Sequence, residues 1–167
     1  DKARLESLGA KDVLVTGSVK FDIVPDASQM AAAKAWLTVL SRPVVLLAST
    51  RDGEEAAFLE SFKKHPALLA ETLVVVVPRH PERFERVVEL FESAGLKTIR
   101  RSTLSTAEDL PADIQIVVGD SMGEMSFYCG LASMTVMGGS FGPFGSQNVV
   151  EPAMAGSPVV VGPSIFT

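Results

Sequence analysis

The sequence predicts an α/β fold with a doubly wound parallel sheet, and three observations carry that expectation. Short, almost wholly apolar runs rich in Val, Ile and Leu recur along the chain, as in strands buried on both faces. Helical patterns separate these runs, the order expected of parallel β-α-β units. Glycine and polar residues gather after the runs, on the edge where such folds place their ligands.

The expected strands, in order, are residues 13–16 (VLVT), 43–48 (PVVLLA), 73–77 (LVVVV), 98–100 (TIR, the weakest), 114–118 (IQIVV), 134–137 (MTVM) and 158–161 (PVVV). Helical patterns fall at 27–40, 54–64, 81–94, 124–131 and 148–155. Pro81 suits the first turn of the third helix and Gly95 its C-terminal stop. Glu54 and Glu55 suit the start of the second, with Ser49 and Thr50 as candidate caps.

With 167 residues and 47% hydrophobic content, the chain is long enough for one substantial core, and residues 1–167 are read as one domain. Because the chain stops just after a buried-type strand, without a closing helix, it is read as a fragment of a longer protein. The net charge of -5 and the scattered basic residues argue against a nucleic-acid partner. No apolar run reaches the roughly 18 residues needed to span a bilayer. The single cysteine, Cys129, excludes an internal disulfide and suits a buried thiol. With two histidines, a His-rich metal site is not expected. Neither the G-x-G-x-x-G nor the P-loop fingerprint is present.

The loops supply the candidate binding residues. The tract GGSFGPFG at 138–145 follows an expected strand, and its glycines, Gly139 among them, let backbone N–H groups approach a ligand. A helix starting near Asn148 would aim its positive end at the same space. Asn148 and Glu151 then share the first turn, where a carboxylate can accept two hydrogen bonds from a ribose diol; a cap and a surface acid are the alternative. Arg79 and His80 lie between two prolines and suit an anion, or else Arg79 pairs with Glu82 and His80 caps the helix. Arg51 is a second candidate for phosphate or carboxylate, against a solvated surface arginine. Glu124, after Gly123, either favours a helix N-terminus or hydrogen-bonds a ligand hydroxyl.

Taken together, the loops GSVKFD (17–22), ASTRDGEE (48–55), VPRHPERF (77–84), GDSMGEM (119–125), GGSF (138–141), NVVEP (148–152) and PVVVGP (158–163) resemble, in order, the C-terminal donor-binding domain of the bacterial 3-deoxy-D-manno-octulosonic acid (Kdo) transferases of lipid A synthesis. The resemblance spans nearly the whole chain. It implies a Rossmann-like CMP-sugar-binding domain, the C-terminal half of a GT-B glycosyltransferase. It further implies metal-independent, inverting transfer of Kdo from CMP-Kdo to a lipid A precursor. Glu151 would hold the ribose, Asn148 would lie near the phosphate, and Gly139 and Ser140 would shape the loop. Lys20, Arg51, Arg79 and His80 would face the phosphate and sugar carboxylate, with Ser49, Gly123 and Glu124 lining the pocket. CMP-Kdo is a substrate, and no cofactor is implied. No catalytic residue is assigned to this chain: the acid that activates the acceptor belongs to an N-terminal domain that no segment here matches, so the domain alone is expected to be inactive. The full-length protein is placed on the cytoplasmic face of the inner membrane, and the domain itself is read as soluble. The sequence departs from the family pattern at Ser146 and Gln147, where Gly and His are common, and at Arg51, where His is frequent. A UDP-sugar transferase or epimerase of the same architecture and a noncatalytic nucleotide-binding module are the competing readings.

Overall fold

The computed structural model describes residues 2–17 and 22–166. Six parallel strands form one sheet in the order β3-β4-β2-β1-β5-β6. They are β1 (Val44–Thr50), β2 (Leu73–Pro78), β3 (Thr98–Arg100), β4 (Ile116–Val118), β5 (Met134–Met137) and β6 (Val159–Val160). The helices are α1 (Lys2–Ser7), α2 (Ala27–Leu37), α3 (Glu54–Lys64), α4 (Pro66–Glu71), α5 (Phe84–Ser93), α6 (Met125–Leu131) and α7 (Val150–Met154).

Side chains alternate across each strand, so the sheet builds two cores. On one face, Val44, Leu46 and Ala48 of β1 and Val75 and Val77 of β2 pack with Ala33 and Trp36 of α2 and Phe127, Tyr128 and Leu131 of α6. On the other, Leu47, Val74 and Val76 meet Leu59 and Phe62 of α3, Leu69 of α4 and Val87, Val88 and Phe91 of α5. Helices therefore cover both faces, as the doubly wound reading requires.

After β1 the chain turns to one side, to β2, β4 and β3, and β5 lies on the other side of β1. The gap beyond the ends of β1 and β5 is thus the topological switch point, where open α/β sheets leave a crevice for ligands.

Several expected elements change. Residues 13–16 form no strand: β1 already has β2 and β5 as its two neighbours, and Leu14 and Val15 are 82% and 76% exposed. An apolar run of four residues cannot by itself supply the ladder partner that a strand needs. The helix expected at 81–94 is a 3-10 turn, Pro81–Arg83, followed by α5. The helix expected at 148–155 shrinks to the five residues of α7, and the last strand to two residues. Helices α1 and α4 have no counterpart in the sequence reading.

Candidate functional site

The crevice is framed by the loops that follow β1 and β5. Ser49 takes φ 54 at a bulge where the β1–β2 register shifts between Ala48 and Thr50. Left-handed backbone at a serine costs energy and persists only where its surroundings hold it. Here Gly138 packs directly on the bulge, for a Cβ at residue 138 would lie 2.4 Å from the Ser49 carbonyl oxygen. Gly139 takes φ +78, and its Cβ would lie 2.3 Å from the Gly145 carbonyl oxygen.

Glu54, only 4% exposed, ties the two loops together. Its Oε2 accepts from the backbone N–H of Arg51 at 2.8 Å and of Gly139 at 2.8 Å, and its Oε1 from that of Phe141 at 3.0 Å. The Gly139 and Phe141 N–H groups are therefore spent on Glu54 rather than turned to a ligand. Ser140 is fully buried; its hydroxyl donates to the Met137 carbonyl and accepts from the Gly162 N–H at 2.8 Å. Gly139 and Ser140 thus set the shape of the loop from behind.

A second buried tie fixes the loop after β2. Arg83 donates to Glu55 Oε2 at 2.6 Å and to the Thr50 carbonyl at 3.0 Å, and the Thr50 hydroxyl donates to Glu55 Oε1. The Arg79 N–H also donates to the Thr50 carbonyl at 3.0 Å. These bonds dock residues 79–83 against the end of β1. Glu82 is not the partner of Arg79, whose side chain is exposed and makes no ion pair or hydrogen bond among the described residues.

Two adjoining clefts open on this edge, sharing Ser49, Arg79 and Met125. The larger, about 260 Å³, is also lined by Met137, Gln147, Asn148, Glu151 and Pro152. Glu151 Oε1 accepts from the Ser126 hydroxyl at 3.1 Å, which leaves Oε2 available. Asn148 Oδ1 accepts from the Val150 N–H at 3.0 Å, a local turn that leaves its amide NH2 available. Because α7 has only five residues, its macrodipole is a minor part of the field here.

The smaller cleft, about 140 Å³, is walled by Val77, Pro78, Phe84 and Met122, with Ser121, Gly123, Glu124 and Tyr128 on its polar side. Gly123 takes φ +79, and its carbonyl accepts from Gln29 Nε2 at 2.8 Å. Glu124 Oε1 accepts from Arg101 Nη2 at 3.1 Å, and its Oε2 from the Ser121 hydroxyl. Burial raises the Tyr128 phenol above its ordinary range, and the thiol of Cys129 behind it is pushed up to about 12, mainly by burial and further by the Glu151 carboxylate.

Arg51 is turned away from both clefts. Its Nη1 lies 3.0 Å from His80 Nε2, and its guanidinium lies 4.9 Å from the Phe144 ring centre. Arginine has only donors, so His80 accepts through Nε2 and carries its proton on Nδ1. Arg51 and His80 thus form a rim between the glycine loop and the loop after β2. The structure brings Ser49, Arg79, Asn148 and Glu151 together in one cleft and Gly123 and Glu124 in its neighbour. Lys20 lies outside the described residues. Sequence reasoning missed the long-range parts of Glu54, Ser126 and Arg101. Glu54 drew notice only as a helix-start acid, and Arg101 follows a weak strand with no motif around it.

Among the described residues, no group of three His, Cys, Asp or Glu side chains is placed to hold a metal ion, and no helix is long and apolar enough to cross a membrane.

No protein-family model matches the chain. It is 42% identical to a 3-deoxy-D-manno-octulosonic acid transferase of Bordetella pertussis, over 99% of this chain and 39% of the relative. It is 35% identical to the transferase of the same name from Haemophilus influenzae, over 91% of this chain and 35% of the relative. The chain therefore spans under two fifths of the length of these relatives. Among solved structures, it superposes on the C-terminal CMP-Kdo binding domain of WaaA from Acinetobacter baumannii with a TM-score of 0.75 and 35% identity, covering 84% of this chain and 74% of that one. Shared sequence over nearly its whole length and a shared parallel-sheet fold place this chain in the family of the 3-deoxy-D-manno-octulosonic acid transferases.

Proposed function

We propose that this chain is the donor-binding part of a glycosyltransferase that moves Kdo from CMP-Kdo to a lipid A precursor. The observation that carries the reading is the larger cleft at the switch point, where the Glu151 carboxylate, the Asn148 amide and Arg79, a cation with no ion pair among the described residues, converge. Glu151 accepts hydrogen bonds from the ribose diol, and Ser126 fixes its orientation. Arg79 meets the phosphate. In the reaction, a hydroxyl oxygen of the acceptor bonds to the anomeric carbon of Kdo and gives its proton to the acid residue, ionised as a base, that activates it, while the bond from that carbon to the phosphate oxygen breaks and CMP leaves with the bonding electrons. A cation held at that oxygen stabilises the charge that develops there. With α7 so short, this work falls to Arg79 more than to a helix end.

The acceptor, the acid that activates it and the attachment to the inner-membrane surface belong to an N-terminal region of the full-length protein. No metal takes part in the proposed reaction.

Calorimetric titration with CMP tests the site. Glu151→Ala should weaken binding by about 1.5 to 3 kcal/mol, the range for hydrogen bonds to a charged group. Unchanged affinity in that variant would remove the ribose role. Joined to the N-terminal region, the chain should transfer Kdo, and alone it should not.

A further inference from the structure

Resting on that reading of the larger cleft, we infer that the smaller cleft reads the base, selecting cytosine over uracil through a carboxylate edge that Arg101 positions. Arg101 follows β3, and its side chain is 15% exposed. Its guanidinium lies 5.0 Å from the Trp36 ring centre and 4.8 Å from that of Phe127. It donates to the Leu104 carbonyl at 2.6 Å and to Glu124 Oε1 at 3.1 Å, while its Nε is buried without a partner among the described residues. Burying a cation carries a desolvation cost of several kcal/mol, so this is a poor choice of residue if packing were its only task.

The polarity of the neighbouring bonds shows what the arrangement does. Tyr128 OH lies 2.6 Å from Ser121 Oγ, and the Ser121 hydroxyl donates to Glu124 Oε2. The serine hydrogen being engaged with Glu124, the tyrosine is the donor to the serine oxygen. Tyr128, Ser121 and Arg101 thus direct their hydrogens in one sense, toward Glu124. Glu124 is one of the residues that line the cleft, and a carboxylate offers a ligand only acceptor positions. A ligand atom that settles there must be a donor.

The cleft wall selects which donor. Val77, Pro78, Phe84 and Met122 make it apolar, and at about 140 Å³ it is sized for a single ring. An acidic, polyhydroxylated sugar would lose hydration against that wall and would set its own carboxylate near Glu124. A pyrimidine satisfies both constraints. Cytosine presents an exocyclic amine to the carboxylate, whereas uracil presents a carbonyl oxygen and is repelled. Buried polar recognition of this kind rejects the wrong partner more strongly than apolar fit does. Arg101 touches no ligand; it is a positioning residue acting through Glu124.

The test is calorimetric titration of the 167-residue chain with CMP, UMP and ribose 5-phosphate, in the wild type, Glu124→Gln, Arg101→Met and Arg101→Lys. The wild type should prefer CMP over UMP by at least about tenfold, the scale of one charge-assisted hydrogen bond. Glu124→Gln can rotate an NH2 toward a carbonyl, so its preference should fall to near unity or reverse. Arg101→Met keeps bulk against the two rings but loses the charge; it should lose preference while ribose 5-phosphate affinity stays level, and Arg101→Lys should restore part of it. Equal binding of CMP and UMP by the wild type, or a preference that survives in Glu124→Gln, overturns the inference while leaving the ribose-phosphate site standing. A uniform loss for all three ligands in both Arg101→Met and Glu124→Gln reduces Arg101 and Glu124 to structural residues and also overturns it. If CMP, UMP and ribose 5-phosphate all fail to bind the wild type, the donor-site reading falls with it. Glu124→Gln decides the question even where Arg101→Met does not fold.

Discussion

Arg79 and Glu151 show how position gives an ordinary side chain a task. Each has a common explanation in isolation, a surface charge and a helix-start acid. They become a pair because the loops after β2 and β5 end at one edge of the sheet, on either side of β1. Cys129 is the converse case, a reactive residue made inert. Its thiol, fully buried beneath the same edge, is pushed up to about 12 from an ordinary 9.0. It should resist alkylation by iodoacetamide at pH 8 until the chain is unfolded in urea. Above pH 9.0 the unfolded chain releases a proton that the folded chain keeps until about pH 12, so this group makes stability fall as pH rises through that window. Rapid native-state labelling at pH 8 would contradict this burial.

At the scale of elements, the site depends on two carboxylates that begin α3. Glu54 holds the glycine loop, and Glu55 with Arg83 holds the loop after β2. Arg83→Ala leaves the 2%-exposed Glu55 side chain without its counter-charge and should destabilise the fold by about 3 to 5 kcal/mol in urea denaturation. Glu54→Ala orphans the N–H groups of Gly139 and Phe141; it should weaken CMP binding without any contact to the ligand. Wild-type stability in Arg83→Ala, or wild-type CMP affinity in Glu54→Ala, would contradict these roles.

These ties also mark where reading the sequence stops. The bond from Arg51 to Glu54 is local, three residues apart, and the cap-like spacing announced an acid at the start of α3. The partners at Gly139 and Phe141 lie more than eighty residues away in sequence and emerge only once β5 is laid beside β1. Helix α4 hid for a different reason: at six residues, Pro66–Glu71 is too short to establish a helical period. The glycine tract suggests backbone N–H groups open to a ligand, whereas in the fold Gly138 makes room for the Ser49 bulge.

For the whole molecule, the parallel order was legible because strands buried on both faces must be apolar throughout, and β1, β2 and β4 obey that rule closely. Residues 13–16 follow the same pattern and still form no strand, since pattern alone does not provide a neighbour in the sheet. The site's edge was legible too, because the fold fixes which ends of the strands face ligands. The division of that edge into two clefts was not, since it depends on where Met125 and Arg79 come to lie.

The molecule has other concavities, including a groove of about 310 Å³ between α3 and α5 lined by Ala56, Arg86 and Leu90. A backbone amide NMR titration of the chain with CMP separates the switch-point crevice from such surfaces. The account predicts that shifts concentrate at Ser49, Arg79, Gly123, Asn148 and Glu151, with Ala56 and Leu90 unmoved. Shifts confined to the α3–α5 groove, with the crevice silent, would contradict it.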